Sequence, residues 1–92
     1  MNEHLKRLLL QIPKGKVTTY KALAQKLHTS PRAIGRMLNA NTELVAIPCH
    51  RVVKSTGELG GYKLGAKRKE ELLKNEGVVI KNGVVSGDFF LT

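Results

Sequence analysis

Apolar residues recur along the N-terminal third of the chain with a helical period. Leu5, Leu8, Leu9 and Ile12 stand at i, i+3, i+4 and i+7, which predicts an amphipathic helix over Asn2 to Gln11, broken by Pro13-Lys14-Gly15. Lys16 to Thr19 reads as a short extended segment. Thr18 or Thr19 is placed to cap a second helix running to about Leu27, with Ala22, Leu23 and Leu27 inward. After the tight connection His28-Thr29, Ser30 is a good N-cap, and Pro31 suits the first helical position, where its missing N–H costs nothing. The third helix then runs to about Asn39, with Ile34, Met37 and Leu38 as its apolar stripe. Two short helices joined in this way form a helix-turn-helix pattern.

The second half alternates shorter signals. Asn39 to Glu43 is a polar loop. Leu44 to Ile47 is apolar, and Pro48 biases Ile47 to extended geometry, so the segment before Cys49 is non-helical. Val52-Val53 predicts a short strand, and the glycine-rich stretch Ser55 to Tyr62 a turn and wing. Lys67 to Glu76 predicts a last helix with Leu72 and Leu73 inward and Gly77 as its stop. Val78 to Val85 contains Asn82-Gly83, the pair favoured in a type I′ hairpin. The expected architecture is one domain over residues 1–92, mainly α with small β elements: a winged-helix-like DNA-binding domain containing a helix-turn-helix.

Charge sharpens that expectation. Sixteen Lys and Arg stand against seven Asp and Glu, a net charge of +9. Arg32 and Arg36 fall on the exposed side of the third helix, so nucleic acid is the favoured partner. No apolar run is long enough to span a bilayer, and no N-terminal signal sequence is recognisable. The single cysteine cannot form an internal disulfide, which fits a reducing, cytoplasmic setting near the nucleoid. No Cys/His cluster suggests a metal site, and a monomer without cofactors is expected.

The candidate chemistry lies in Ile47-Pro48-Cys49-His50-Arg51-Val52. A thiol flanked by a base and a cation, in a strongly basic chain, is a nucleophile suited to a polyanionic substrate. Pro48-Cys49-His50-Arg51-Val52 resembles the active-site signature of O6-alkylguanine-DNA alkyltransferases. The resemblance extends in order from Ile12 to about Gly77. Pro13 to Tyr20 resembles the family's approach to its helix-turn-helix, and Arg32-Ala33-Ile34-Gly35 the start of its recognition helix. Asn41, eight residues before Cys49, matches the hinge asparagine, and Gly60, Tyr62 and Glu76 fall in register.

What the resemblance implies is repair of O6-alkylguanine in duplex DNA. The alkylated base is flipped out and its alkyl group passes to Cys49, once per molecule. Cys49, His50, Glu76 and Tyr20 take the catalytic roles: His50 acts on the thiol through a water, Glu76 orients the imidazole, and Tyr20 donates to the leaving guanine. Arg32, Asn41, Tyr62, Lys63, Ala33, Gly35 and Arg51 are expected at the DNA or the base. Arg32 either fills the place of the flipped base or clamps a phosphate, and Gly35 either faces DNA or packs helices. Ala33 and Gly35 suit a recognition helix lying in the minor groove. Without the resemblance, Tyr20 and Tyr62 read as partly buried core and Glu76 as a surface charge. The chain departs from the family in two ways: it begins almost at the DNA-binding unit, without the separate N-terminal domain of many members, and it carries Lys63 where a serine is common. An alternative is an alkyltransferase-like sensor, which binds the lesion and recruits other repair proteins. A second is a winged-helix regulator of undamaged DNA.

Overall fold

The computed structural model describes residues 2–91. The elements are α1 (Glu3–Leu10), β1 (Thr18–Thr19), α2 (Tyr20–Leu27), α3 (Pro31–Asn39), a 3-10 turn (Cys49–Arg51), β2 (Val52–Val53), α4 (Ala66–Asn75), β3 (Ile80–Lys81), β4 (Val84–Val85) and a second 3-10 turn (Gly87–Phe89). The mainly helical architecture with small sheets is as expected from the pattern. Side-chain caps set three helix starts. The N–H of Leu5 donates to Asn2 Oδ1 (3.0 Å), that of Ala22 to Thr19 Oγ1 (3.0 Å) and that of Ala33 to Ser30 Oγ (3.1 Å). Each such cap is worth about 1 kcal/mol. Because Asn2 is itself the first cap, α1 starts one residue later than the periodicity suggested.

Leu5, Leu9, Ile12, Leu23, Ala24, Ile34 and Leu38 close the core between the first three helices, with Ile47, Cys49 and Val52 beneath them. Two positions differ from expectation. Ala22 is only half-buried and Ala24 takes the inward place, because the stripe of α2 runs through Tyr20, Leu23, Ala24 and Leu27. Leu72 is half-buried, while Leu73 and, unexpectedly, Lys69 are fully buried.

A second core gathers Val17, Val53, Leu59, Leu73, Val78 and Val85. It joins α4 to the hairpin, where β3 and β4 pair antiparallel with Ile80 opposite Val85. Asn82 (φ 53°) and Gly83 (φ 75°) occupy the turn as a type I′ turn requires. The glycine-rich segment after β2 adds to this hairpin through a single bridge, Glu58 to Val84. At the end of α4, Gly77 (φ 93°) donates to Lys74 O (3.0 Å), and Val78 to Leu73 O (3.0 Å). That Schellman closure turns the chain just after Glu76 and fixes where its side chain can reach.

The site depends on one pairing that connects distant parts of the sequence. β1 and β2 pair parallel, Thr18 with Val52 and Thr19 with Val53. The pairing ties the start of the helix-turn-helix to the 3-10 turn that carries Cys49. No helix among the described residues is long and apolar enough to cross a membrane.

Candidate active site and nucleic-acid interface

Cys49 opens a 3-10 turn directly after Pro48 and is 4% exposed, yet it contributes to the wall of a cleft of about 900 Å³. Tyr20, Arg32, Gly35, Tyr62 and Lys63 line the same cleft. It therefore lies between the start of α2, the exposed side of α3 and the glycine-rich segment. The volume is within the range of small-molecule sites.

Behind the sulfur, the side chains of His50 and Glu76 meet although they are 26 residues apart. His50 is wholly buried, and its Nε2 lies 3.0 Å from Glu76 Oε2. Its Nδ1 is buried and without a hydrogen-bond partner among the described residues. Glu76 also accepts a fork from Arg51, Nε to Oε1 at 2.9 Å and an Nη to Oε2 at 2.8 Å. The other Nη of Arg51 donates to the carbonyl of Ile12 (2.8 Å). Burial holds the His50 imidazolium below its ordinary pKa, against the pull of Glu76. Burial pushes Glu76 upward, but hydrogen bonds from Arg51 and His50 outweigh it, leaving the carboxyl below its usual range. The expectation that Arg51 contacts DNA is thus corrected: its guanidinium is spent on Glu76 and Ile12, and its side chain is 15% exposed.

Asn41 also differs from expectation. It is 1% exposed, so it is no DNA contact in this structure. Its Nδ2 donates to Ile47 O (3.1 Å) and to Cys49 Sγ (3.3 Å), while Oδ1 accepts from the N–H of Glu43 (2.9 Å). These bonds pin a tight loop in which Val45 adopts φ 70°, unusual for a β-branched residue. Asn41 thereby fixes the position of the sulfur.

The two tyrosines border the cleft. Tyr20 Oη donates to Gly61 O (3.4 Å) and accepts from Lys69 Nζ (3.4 Å). Burial, helped by the neighbouring Cys49, keeps its phenol above the ordinary pKa. Tyr62 sets its ring edge-on to His50, at 6.5 Å between centroids, and its buried hydroxyl has no partner among the described residues. Arg32 is exposed near the start of α3. Ala33 is half-buried and spends its N–H on the Ser30 cap; it does not line the cleft. Lys63 donates to the carbonyl of Asn41 (3.3 Å).

Lys69 went unnoticed in the sequence. It is 0% exposed and donates to Gly61 O (3.1 Å) as well as to Tyr20, with its ammonium 5.6 Å from the Tyr20 ring centroid. No carboxylate pairs with it among the described residues. Burial pushes its pKa down to about 8, opposed by the attraction of an anionic Cys49 sulfur. A signal was present: Lys69 shares the i, i+3, i+4, i+7 stripe of α4 with Leu72, Leu73 and Glu76.

Two glycines on the cleft make opposite predictions. A Cβ at Gly35 would meet nothing within 4 Å, which removes the packing explanation for that glycine. A Cβ at Gly60 (φ 75°) would stand 2.8 Å from Tyr20 Oη. Gly35→Ala is expected to leave the thermal midpoint unchanged or slightly higher. Gly60→Ala combines a left-handed conformation with displacement of Tyr20, and should cost about 1–3 kcal/mol by denaturant unfolding.

Fold and site together describe a helix-turn-helix DNA-binding domain whose only cysteine borders a cleft beside the second helix of the motif. Residues 1–78, a span that includes Cys49, His50 and Glu76, match the family described as 6-O-methylguanine DNA methyltransferase, DNA binding domain, and the chain belongs to that family. The description names a DNA-binding domain, whereas the resemblance implies a catalytic one. A methylated-DNA–protein-cysteine methyltransferase of Saccharolobus solfataricus is 53% identical over 72 residues, which are 78% of this chain and 47% of that protein. The chain thus spans about half the length of such relatives. The O6-methylguanine-DNA methyltransferase structure from Pyrococcus kodakaraensis superposes with TM-score 0.76 at 40% identity, covering 83% of this chain and 45% of that one. Schizosaccharomyces pombe Atl1, in complex with damaged DNA containing O6-carboxymethylguanine, has the same fold. It superposes with TM-score 0.82 at 24% identity, over 96% of this chain and 91% of that one.

Proposed function

We propose that this chain carries DNA-repair alkyltransferase activity and transfers the methyl group of O6-methylguanine in duplex DNA to Cys49. The observation that carries the proposal is a sulfur on the wall of a cleft large enough to admit a nucleobase, backed by a buried imidazole that is oriented by a carboxylate.

The guanine substituent lies within the stacked duplex, so the nucleotide must leave the stack, at about a few kcal/mol. Arg32 is long, planar, cationic and exposed on α3, as a side chain replacing the flipped base needs to be. The everted guanine enters between Tyr62 and the Cys49 wall. His50 Nδ1, unpartnered and buried, takes the thiol proton through a bridging water, while Glu76, itself held in place by Arg51, orients the ring and stabilises its charged form. The thiolate attacks the methyl carbon. A C–S bond forms as the C–O bond breaks, and the bonding pair moves into the guanine ring. Tyr20 Oη donates to the departing base and is recharged from Lys69. Asn41 aims the sulfur, and Gly35 and Ala33 keep the DNA-facing side of α3 small. No metal or cofactor enters these steps.

The thioether product cannot be hydrolysed under mild conditions, so each molecule acts once. With excess methylated duplex, restored guanine should plateau at one per protein. Continued turnover, or no restored guanine, overturns transfer.

A further inference from the structure

Arg32, Gly35 and Asn39 stand at i, i+3 and i+7 on α3, so they share one face of the helix, and all three line the cleft. Asn39 has no visible part in the fold. It is exposed, and its side-chain amide makes no hydrogen bond among the described residues. An asparagine near a helix end often serves to close it. Here the closing residue is Ala40, whose own N–H bonds to the carbonyls of Met37 and Leu38. Asn39 also differs in kind from the other residues that α3 puts on the cleft. The side chains of Pro31, Arg32, Gly35 and Leu38 offer no hydrogen-bond acceptor, whereas the amide of Asn39 has an acceptor oxygen beside two N–H donors.

That difference matters on a DNA surface. A Cβ at Gly35, between Arg32 and Asn39, would meet nothing within 4 Å, so the backbone of α3 can come close to a narrow groove. In the minor groove every base pair shows acceptors, and only a pair containing guanine adds a donor, its 2-amino group. A cation such as Arg32 has donors alone and cannot tell pairs apart there. An amide can, because its N–H donates to guanine N3 while its oxygen accepts from the 2-amino group. We infer that Asn39 reads a G·C pair through the minor groove and gives the domain a preference for the sequence beside the lesion. With Arg32 at the place of the flipped nucleotide, seven residues of helix span about 10 Å, or about three base-pair steps. The favoured pair lies at that distance on one side. This assignment rests on the DNA-facing role of α3 given above. It adds a specificity that the sulfur and its relay cannot supply.

Binding by the Cys49→Ala protein tests this independently of transfer. One O6-methylguanine is set in an A·T-rich duplex, and a single G·C pair is moved from two to four steps away on either side, at fixed salt. At one position, about three steps from the lesion, the duplex is expected to bind about tenfold tighter than its A·T counterpart, the worth of one bidentate base contact. Inosine in place of that guanine lacks only the 2-amino group and should lose the gain. Asn39→Ala in the same background should bind the guanine, inosine and A·T duplexes alike. Asn39 is exposed, and circular dichroism checks that the variant is folded. Equal affinity of the Cys49→Ala protein for every duplex overturns the inference. So does a preference that survives in Asn39→Ala, the mark of groove shape, or an equal loss on all duplexes, the mark of a sugar–phosphate contact. Intact mass of the wild-type protein after incubation with the favoured duplex reads transfer separately. A context preference without a mass gain contradicts transfer and supports the role of Asn39, and a mass gain without a context preference does the reverse.

Discussion

Glu76→Ala is expected to bring the domain close to unfolding. The carboxylate accepts from Arg51 twice and meets His50 Nε2, and its own side chain is 10% exposed. Truncation leaves a largely buried guanidinium and a buried imidazole unpaired, at about 3–5 kcal/mol. A small domain has a total of about 5–15 kcal/mol. Urea unfolding reads the loss directly. Glu76→Gln keeps the shape and so separates function from folding: transfer should fall by about a hundredfold or more, the usual contribution of an oriented acid–base group.

The same network fixes the response to acid. His50 has a folded pKa below its unfolded value, so the unfolded chain binds the extra proton first. Stability falls as pH drops below about 6.5 toward the folded value. Glu76 is also depressed. Its contribution is complete above the unfolded carboxyl value and is lost as pH drops through the folded one. Both groups therefore act in the same direction, and Glu76→Gln should flatten the lower part of the stability profile.

Lys69→Met is expected to raise stability while impairing transfer. Lowering the ammonium pKa from 10.5 to about 8 corresponds to about 3 kcal/mol of cost at neutral pH, and an apolar chain of similar length removes it. The diagnostic is the alkaline side. Between pH 8 and 10 the unfolded wild-type chain holds more protons than the folded one, so wild-type stability climbs, and this rise is absent in the variant. Above 10 the raised phenols of Tyr20 and Tyr62 act in the opposite sense. Transfer should drop about tenfold or more, since Tyr20 loses its buried donor. A variant that gains stability and keeps full transfer makes Lys69 a structural accident.

These effects show which parts of the molecule can be read from the chain. Helix starts are local, and Asn2, Thr19 and Ser30 each announce one; Asn82-Gly83 does the same for the hairpin. Cys49, His50 and Glu76 are legible as candidates because their residue types and order match a family, although the 3.0 Å contact between His50 and Glu76 is a product of folding. Arg51 and Asn41 are expected at the DNA or the base on the resemblance. Only the tertiary fold turns Arg51 back onto Glu76 and buries Asn41 under the Cys49 loop. β1 and β2 are two residues each, too short for periodicity, so their parallel pairing leaves no trace in the pattern. Lys69 was legible but contradicts the rule that lysine faces water; its stripe places it inside.

The most direct test weighs the intact protein after incubation with a duplex carrying one O6-methylguanine, then maps the product by peptide sequencing. The proposed transfer predicts a gain of a single methyl group on Cys49, complete at equimolar DNA and absent in Cys49→Ala. An unchanged mass under conditions where the methylated duplex is demonstrably bound, or a methyl group on any other residue, contradicts it.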